Sequence, residues 1–208
     1  MLKVGLTGNF YSGYDQVSEL FANKNIPVFD ADLVIKYMIN YSDYHIGKIK
    51  KYFGDTIYFA NLINLKILKK KKKVNELLDI IQVDLIKSYE RWRVKNKTAP
   101  YTIFKCSILF ERGLDKSMNL NISVYKPKQF RRKYIKENPT IGMTTLKLET
   151  IIENEMDELE KNKKSNYVIH NYEDRLNHSI ETHIYQISRS LLSKFDNNDH
   201  TTYNSFMV

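Results

Sequence analysis

The stretch Gly8-Asn9-Phe10-Tyr11-Ser12-Gly13-Tyr14-Asp15 carries two glycines at the spacing of a phosphate-binding loop, G-x-x-x-x-G-K-[ST]. Glycines at those positions let backbone N–H groups wrap an anion. The helix that follows points its positive end at the same anion. In such loops the lysine reaches the outer phosphates and the hydroxyl holds Mg²⁺. Here Tyr14 stands at the lysine position and Asp15 at the hydroxyl position. An ordinary strand-to-helix turn also needs glycine, so spacing alone leaves an anion cradle and a plain turn both open. If the loop does bind ATP, Tyr14 brings no charge and Asp15 brings the wrong one. A divalent cation would then be needed to screen Asp15, which makes ATP affinity weak and metal-dependent.

Asp30-Ala31-Asp32 follows a second apolar run, Ile26 to Phe29. A carboxylate at the end of a strand can accept the proton of an attacking hydroxyl or orient a metal. It can equally cap a helix and favour its dipole. Basic residues gather at Lys36, at Lys69 to Lys73 and from Lys126 through Lys128, Arg131, Arg132 and Lys133 to Lys136. Arginines and lysines in a closing segment can neutralise a polyphosphate, while a lysine run is also ordinary solvated surface. The five histidines are scattered, and His178 and His183 are spaced wrongly for one helical face. They suggest neither a metal nor a catalytic role. Cys106 has no nearby histidine signal and reads as strand-end packing.

The elements that must position these groups alternate. Leu2 to Leu6 reads as a buried strand, and Val17, Leu20 and Phe21 as the start of a helix. Strand, glycine turn, helix, strand is the opening of a βαβ unit. Val74, Leu77, Leu78, Ile81, Leu85 and Tyr89 share one helical face, which predicts a helix over about 74–93. Further strands are expected at Tyr101–Phe104, Asn121–Tyr125 and Asn166–Ile169. A helix is expected around Leu148, Ile152, Met156 and Leu159. A last amphipathic helix carries Leu176, Ile180, Ile184, Ile187 and Leu191, with Asn171 or Asp174 as its cap. The tail from Asp196 is polar and expected to fray. This alternation predicts an α/β three-layer sandwich with a mostly parallel five-stranded sheet. Ligands in such sheets sit beyond the carboxyl ends of the strands, where the glycine turn, Asp30, Asp32 and the 108–111 segment all fall.

The 208 residues are 42% hydrophobic, enough for a proper core. No apolar run is long enough to span a membrane, and the N-terminus reads as a strand rather than a secretory signal. A single cysteine makes no internal disulfide, which points to a cytoplasmic setting. The net charge of +9 calls for an anionic partner. Nucleic acid is the least supported such partner, since no base-reading motif accompanies the basic residues.

The order of these motifs resembles the dephospho-CoA kinase family, from Met1 to about Leu192. Lys3-Val4-Gly5-Leu6-Thr7-Gly8 with Ser12-Gly13 is similar to the family's opening strand and loop, and Phe29-Asp30-Ala31-Asp32 to its Asp-Ala-Asp motif. Ile108-Leu109-Phe110-Glu111 resembles a Pro-Leu-Leu-Phe-Glu segment, and Gln129 with Arg132 a Gln-x-x-Arg lid pattern. The resemblance implies a kinase domain over 1–195, with a helical substrate subdomain at about 40–97 and a lid at about 126–164, before a polar 196–208 tail. It implies ATP-dependent phosphorylation of the ribose 3′-hydroxyl of dephospho-CoA, with Mg²⁺. Asp32 becomes the expected base, residues 8–15 and Arg132 the nucleotide contacts, and Asp30, Lys36, Leu109 and Glu111 the substrate contacts. Asp15 becomes the metal position. The chain departs from the pattern at Tyr14 and Asp15, at Gln82-Val83 in the substrate helix, and at Ile151 with Glu155 in the lid. A pseudokinase that keeps the fold as a nucleotide-binding or protein-interaction module is the alternative.

Overall fold

The structure is a computed structural model, and it describes residues 1–60, 62–64, 71–137, 155–172 and 178–203. Two compact units make up the chain: Met1–Phe29 with Asn96–Val208, and Asp30–Lys95 between them. Both are built from elements that the apolar pattern dictates.

In the first unit, β1 (Leu2–Gly8) ends at the glycine turn and α1 (Tyr14–Asn23) begins after it. Three further long strands, β5 (Tyr101–Lys105), β6 (Leu120–Tyr125) and β7 (Tyr167–His170), join β1 and the short β2 (Val28–Asp30). The sheet order is β2-β5-β1-β6-β7, and β1 pairs in parallel with both β5 and β6. A central strand is covered on both faces and must be apolar throughout. Val4 to Gly8 are accordingly all buried, as is every residue of β5.

Strand alternation sorts side chains to two faces. Val4, Leu6, Ile103, Ile122 and Val124 form one core with Val17 and Phe21 of α1. The same core takes Ile180, Ile184, Ile187 and Leu191 of α7 (His178–Tyr203), one apolar stripe at helical spacing. Ser123 points the other way, and its hydroxyl donates to Asn162 Oδ1 on α6 (Glu158–Lys164). Helices therefore lie on both faces, the expected three layers. The α5 helix (Lys128–Glu137) follows β6.

Several local expectations shift. Residues 155–157 precede α6, which starts at Glu158 because the Asp157 carboxylate caps the amides of Leu159 and Glu160. Met156 is thus outside the helix expected around it, and Leu148 and Ile152 lie outside the described residues. The Asn171 side-chain amide donates to the Ser12 carbonyl at 2.9 Å, and the described part of the last helix is His178–Tyr203. That helix also continues through Asp196 to Tyr203, where fraying was expected. Asp174 and Leu176 lie outside the described residues.

In the second unit, α2 (Ala31–Asn40), α3 (Asp43–Phe53) and α4 (Lys71–Lys95) pack together beside a two-stranded hairpin, β3 (Tyr58–Phe59) with β4 (Leu62–Ile63). Leu77, Ile81, Leu85 and Tyr89 are the buried stripe of α4, as their spacing predicts. Lys69 and Lys70 of the lysine run lie outside the described residues, and Lys71 and Lys72 are exposed.

Candidate active site

β1 lies between β5 and β6, so the chain leaves its carboxyl end at the point where strand connections diverge to either side. That crevice is where open α/β sheets bind ligands. Gly8 closes the strand under a tight bend, where an added Cβ would meet Ser12 Oγ at 2.3 Å and the Val124 carbonyl at 3.1 Å. Ser12 N–H donates to the Asn9 carbonyl at 2.8 Å, which folds the loop back on itself. Gly13 then turns with φ of 94°, in the left-handed region that favours glycine. The Asn171 amide donates to the Ser12 carbonyl at 2.9 Å and lies 2.2 Å from where a Gly13 Cβ would stand. Side-chain bulk is excluded there by both dihedral and space. Tyr11 is the loop's non-glycine residue at positive φ, 60°. Its ring packs between Phe10 and Tyr134 of α5 at centroid distances of 4.4 and 5.3 Å, contacts that offset the backbone strain.

The loop already holds an anion. The Glu155 carboxylate accepts from the Phe10 backbone N–H through Oε1. Its Oε2 accepts from Asn9 Nδ2 at 3.2 Å and from Arg131 Nη1 at 2.9 Å. Arg131 is fully buried, and it also donates to the Phe10 carbonyl at 2.9 Å and the Lys126 carbonyl at 3.2 Å. Glu158 stands 3.5 Å from its other nitrogen. A guanidinium with no access to water needs such partners, because an unpaired buried charge is very costly. Arg131 is thus the arginine that reaches the loop. Arg132, one residue on, lines an open groove along α5 with Gln129, Lys133 and Lys136.

A lysine stands beside Asp15. Lys105 ends β5, paired across from Leu6, and is 8% exposed. Its Nζ is 2.5 Å from Asp15 Oδ1 and 5.4 Å from the centre of the Tyr14 ring. Both residues that replace the phosphate-loop lysine and hydroxyl are therefore in contact with one ammonium group. Such loops hold magnesium through a hydroxyl and an acidic residue from a neighbouring strand. Here the position beside Asp15 is already cationic, so a divalent ion coordinated by Asp15 would be repelled by Lys105. Among the described residues no group of three His, Cys, Asp or Glu converges as a metal site. These residues do not fit a metal held at Asp15.

On the far side of the loop, Lys161 is 2% exposed and spans Glu111 Oε1 at 3.0 Å and the Ser107 carbonyl at 2.7 Å. Glu111 Oε1 also accepts from Met156 N–H at 3.4 Å. Leu109, expected beside a substrate, is wholly buried and packs under Gly5. Burial, helped by the nearby Glu158 carboxylate, pushes the Tyr125 hydroxyl up, so it stays neutral.

The second unit carries the remaining candidates. Asp30 caps α2, its carboxylate accepting from Leu33 N–H at 2.9 Å. Asp32 is in the first turn of that helix and half-buried, and Lys36 is exposed one turn further on.

Sequence reasoning did not find Lys105 or Lys161. Lys105 had a signal: a charged residue closing an otherwise apolar run, Tyr101-Thr102-Ile103-Phe104, at the sheet edge where ligands bind. Lys161 lies in a mixed-charge stretch that gives no such contrast.

A parallel sheet with a glycine loop at the end of its central strand, followed at once by a helix, defines the P-loop kinase class. Within it, a family model for dephospho-CoA kinase (CoaE) matches residues 2–176, and the chain belongs to that family. A dephospho-CoA kinase of Fusobacterium nucleatum is 32% identical over 174 residues, covering 81% of this chain and 88% of the relative. One from Rhodopseudomonas palustris is 25% identical over 175 residues, covering 81% and 86%. Among solved structures, TT1252 from Thermus thermophilus superposes with a TM-score of 0.72 at 17% identity, covering 93% of this chain and 97% of that one. A dephospho-CoA kinase from Campylobacter jejuni gives 0.51 at 15% identity, covering 91% and 96%. These two likenesses confirm the fold. Among the described residues no helix is long and apolar enough to cross a membrane.

Proposed function

We propose that this chain is an ATP-dependent kinase acting on the ribose 3′-hydroxyl of dephospho-CoA. Family membership supports the substrate pair. The observation that carries the reading is the Glu155 carboxylate seated on Phe10 N–H, Asn9 and Arg131: the loop is built to receive an anion. A phosphate group offers the same acceptor oxygens to the same donors. In the transfer step the 3′-hydroxyl oxygen bonds to the terminal phosphorus and the bond to the ADP oxygen breaks. The hydroxyl proton passes to Asp32. Asp32 suits that part because it is a half-buried carboxylate placed directly after a sheet strand.

A second reading has its own observation. Tyr14 replaces the loop lysine, and Glu155 competes for the loop with any phosphate. On that reading the chain binds nucleotide and transfers nothing. The two part in one experiment. Purified protein is given ATP and dephospho-CoA, and CoA is followed by mass spectrometry while ATP binding is followed by calorimetry. The kinase makes CoA, and Asp32→Asn stops it with ATP affinity and melting temperature kept. ATP binding without any CoA leaves the second reading. Normal turnover in Asp32→Asn removes Asp32 from the mechanism.

A further inference from the structure

Residues 155 and 156 hold the glycine loop and Glu111 at the same time. On the loop side, Glu155 accepts from Phe10 N–H. Asn9 Nδ2 donates both to Glu155 Oε2 at 3.2 Å and to the Met156 carbonyl at 2.8 Å. On the other side, the next N–H along, that of Met156, donates to Glu111 Oε1 at 3.4 Å. Beyond that point the chain is anchored. Asp157 caps α6, and Lys161, 2% exposed, binds Glu111 Oε1 at 3.0 Å and the Ser107 carbonyl at 2.7 Å. Thr7 Oγ1 of β1 donates to the same carbonyl at 3.2 Å. A buried ion pair of this kind is costly to break, so Lys161 fixes Glu111 to α6 as one piece.

Glu111 is used unevenly. Its Oε1 takes both the ammonium and the Met156 amide, while its Oε2 is buried with no hydrogen-bond partner among the described residues. A carboxylate oxygen left this way is an acceptor waiting for a donor, and it is closed to solvent until a neighbour moves.

We infer that the 155–156 peptide is a strap between two ligand sites: a polyphosphate that fills the loop expels Glu155, draws Met156 off Glu111, and opens that carboxylate to a hydroxyl of the phosphate acceptor. This rests on the kinase reading of the loop and the acceptor. The Glu155 side chain is 16% exposed and has little open space to swing into, so its exit shifts the peptide that carries the Met156 N–H. The incoming phosphate takes over Phe10 N–H, Asn9 and Arg131. Lys161 stays, and keeps Glu111 charged and in place. By linkage, the acceptor strengthens polyphosphate binding by the same factor.

The loop probe is inorganic tripolyphosphate, which has no base or sugar to touch the acceptor. In the full chain, saturating tripolyphosphate should speed hydrogen exchange at Met156 N–H by about fivefold or more. Lys161 N–H, bonded to the Asp157 carbonyl at 3.0 Å, should keep its protection. In calorimetry, dephospho-CoA should bind about five- to tenfold tighter with tripolyphosphate present. Both ligands are anions, so charge alone predicts the opposite sign. Met156→Pro deletes the N–H that reaches Glu111. It should bind dephospho-CoA tightly with or without tripolyphosphate, bringing the ratio near one. Melting temperatures check folding, and Glu155→Ala, which empties the loop seat, serves if the proline variant unfolds.

Met156 protection that is unchanged with tripolyphosphate bound overturns the strap and leaves the kinase reading standing. A wild-type ratio of one or below, with both ligands bound, does the same. Tripolyphosphate that does not bind at all sinks this inference and the phosphate-site reading together. Dephospho-CoA that binds in neither condition sinks the kinase reading and this inference with it.

Discussion

Glu155→Gln should make the protein bind ATP more tightly. The carboxylate occupies the loop through Phe10 N–H, Asn9 Nδ2 at 3.2 Å and Arg131 Nη1 at 2.9 Å. Each is a hydrogen bond to a charged group, worth about 1.5–3 kcal/mol when removed singly. The contacts are not additive, and Glu155 keeps 16% side-chain exposure, so about 2–3 kcal/mol is a fair figure for the whole seat. A ligand that needs the vacated loop binds with its intrinsic affinity multiplied by the open fraction. A seat of that depth lowers apparent affinity by about 30- to 150-fold. Glutamine retains the shape but not the charge, so roughly a tenfold gain is expected from it and more from Glu155→Ala. The gain has a counterpart in stability. Arg131 keeps Glu158 at 3.5 Å but loses its closer carboxylate, at a cost of about 1–3 kcal/mol. Calorimetry with ATP and a thermal melt read the two effects separately. Unchanged or weaker ATP binding in a folded Glu155→Gln protein would refute the competition and make Glu155 a support for the loop.

Two further outcomes follow from the structure. Gly13→Ala forces a Cβ onto Asn171 Nδ2 at 2.2 Å and an L-residue to φ of 94°, which should cost about 2–4 kcal/mol in chemical denaturation and abolish ATP binding. The second unit should weaken on acidification in two stages. Burial holds His45 below its usual value of 6.5, so the unfolded chain takes up that proton first, and stability falls as pH drops from about 7 through the folded pKa. Its hydrogen bond from Lys48 holds Asp84 below 3.8, and that contribution is lost lower still, as pH falls through the folded carboxylate value. Denaturation followed by Trp92 fluorescence at stepped pH checks this. Asp84→Asn should remove the lower stage and cost about 0.5–1 kcal/mol at neutral pH; an acid profile unchanged by that variant would detach it from Asp84.

The architecture was legible because it rests on periodicity. Leu2–Leu6 and Tyr101–Phe104 are short, mostly apolar segments and Asn121–Tyr125 alternates, which with the intervening helical patterns reads as a parallel sheet, and the stripe from Leu77 to Tyr89 has helical spacing. What was not legible depends on pairing across the sheet. Nothing in the local sequence around Asp15 says that residue 105, ninety positions away, would stand beside it; only the β1–β5 register does. Arg131 and Arg132 are adjacent, and the family resemblance pointed to the second, while the turn of α5 directs the first into the loop. Asn171 carries both a cap-like type and a cap-like position. Its amide donates to the Ser12 carbonyl, because β7 ends at His170 beside the loop.

Charge arithmetic around the loop shows how its buried groups are satisfied. A buried charge in any folded chain needs a partner, because leaving it unpaired costs several kcal/mol. Three buried cations around the loop have carboxylate partners: Lys105 with Asp15, Arg131 with Glu155 and Glu158, and Lys161 with Glu111. Burying a charge costs several kcal/mol, and each of these would be expelled or would unfold its surroundings without its partner. The residues at positions 15 and 155 each stand in an ion pair, Asp15 with Lys105 and Glu155 with Arg131. An incoming polyphosphate must then win its cations from carboxylates already seated on them, which makes affinity a contest between ligand and protein acids rather than between ligand and water.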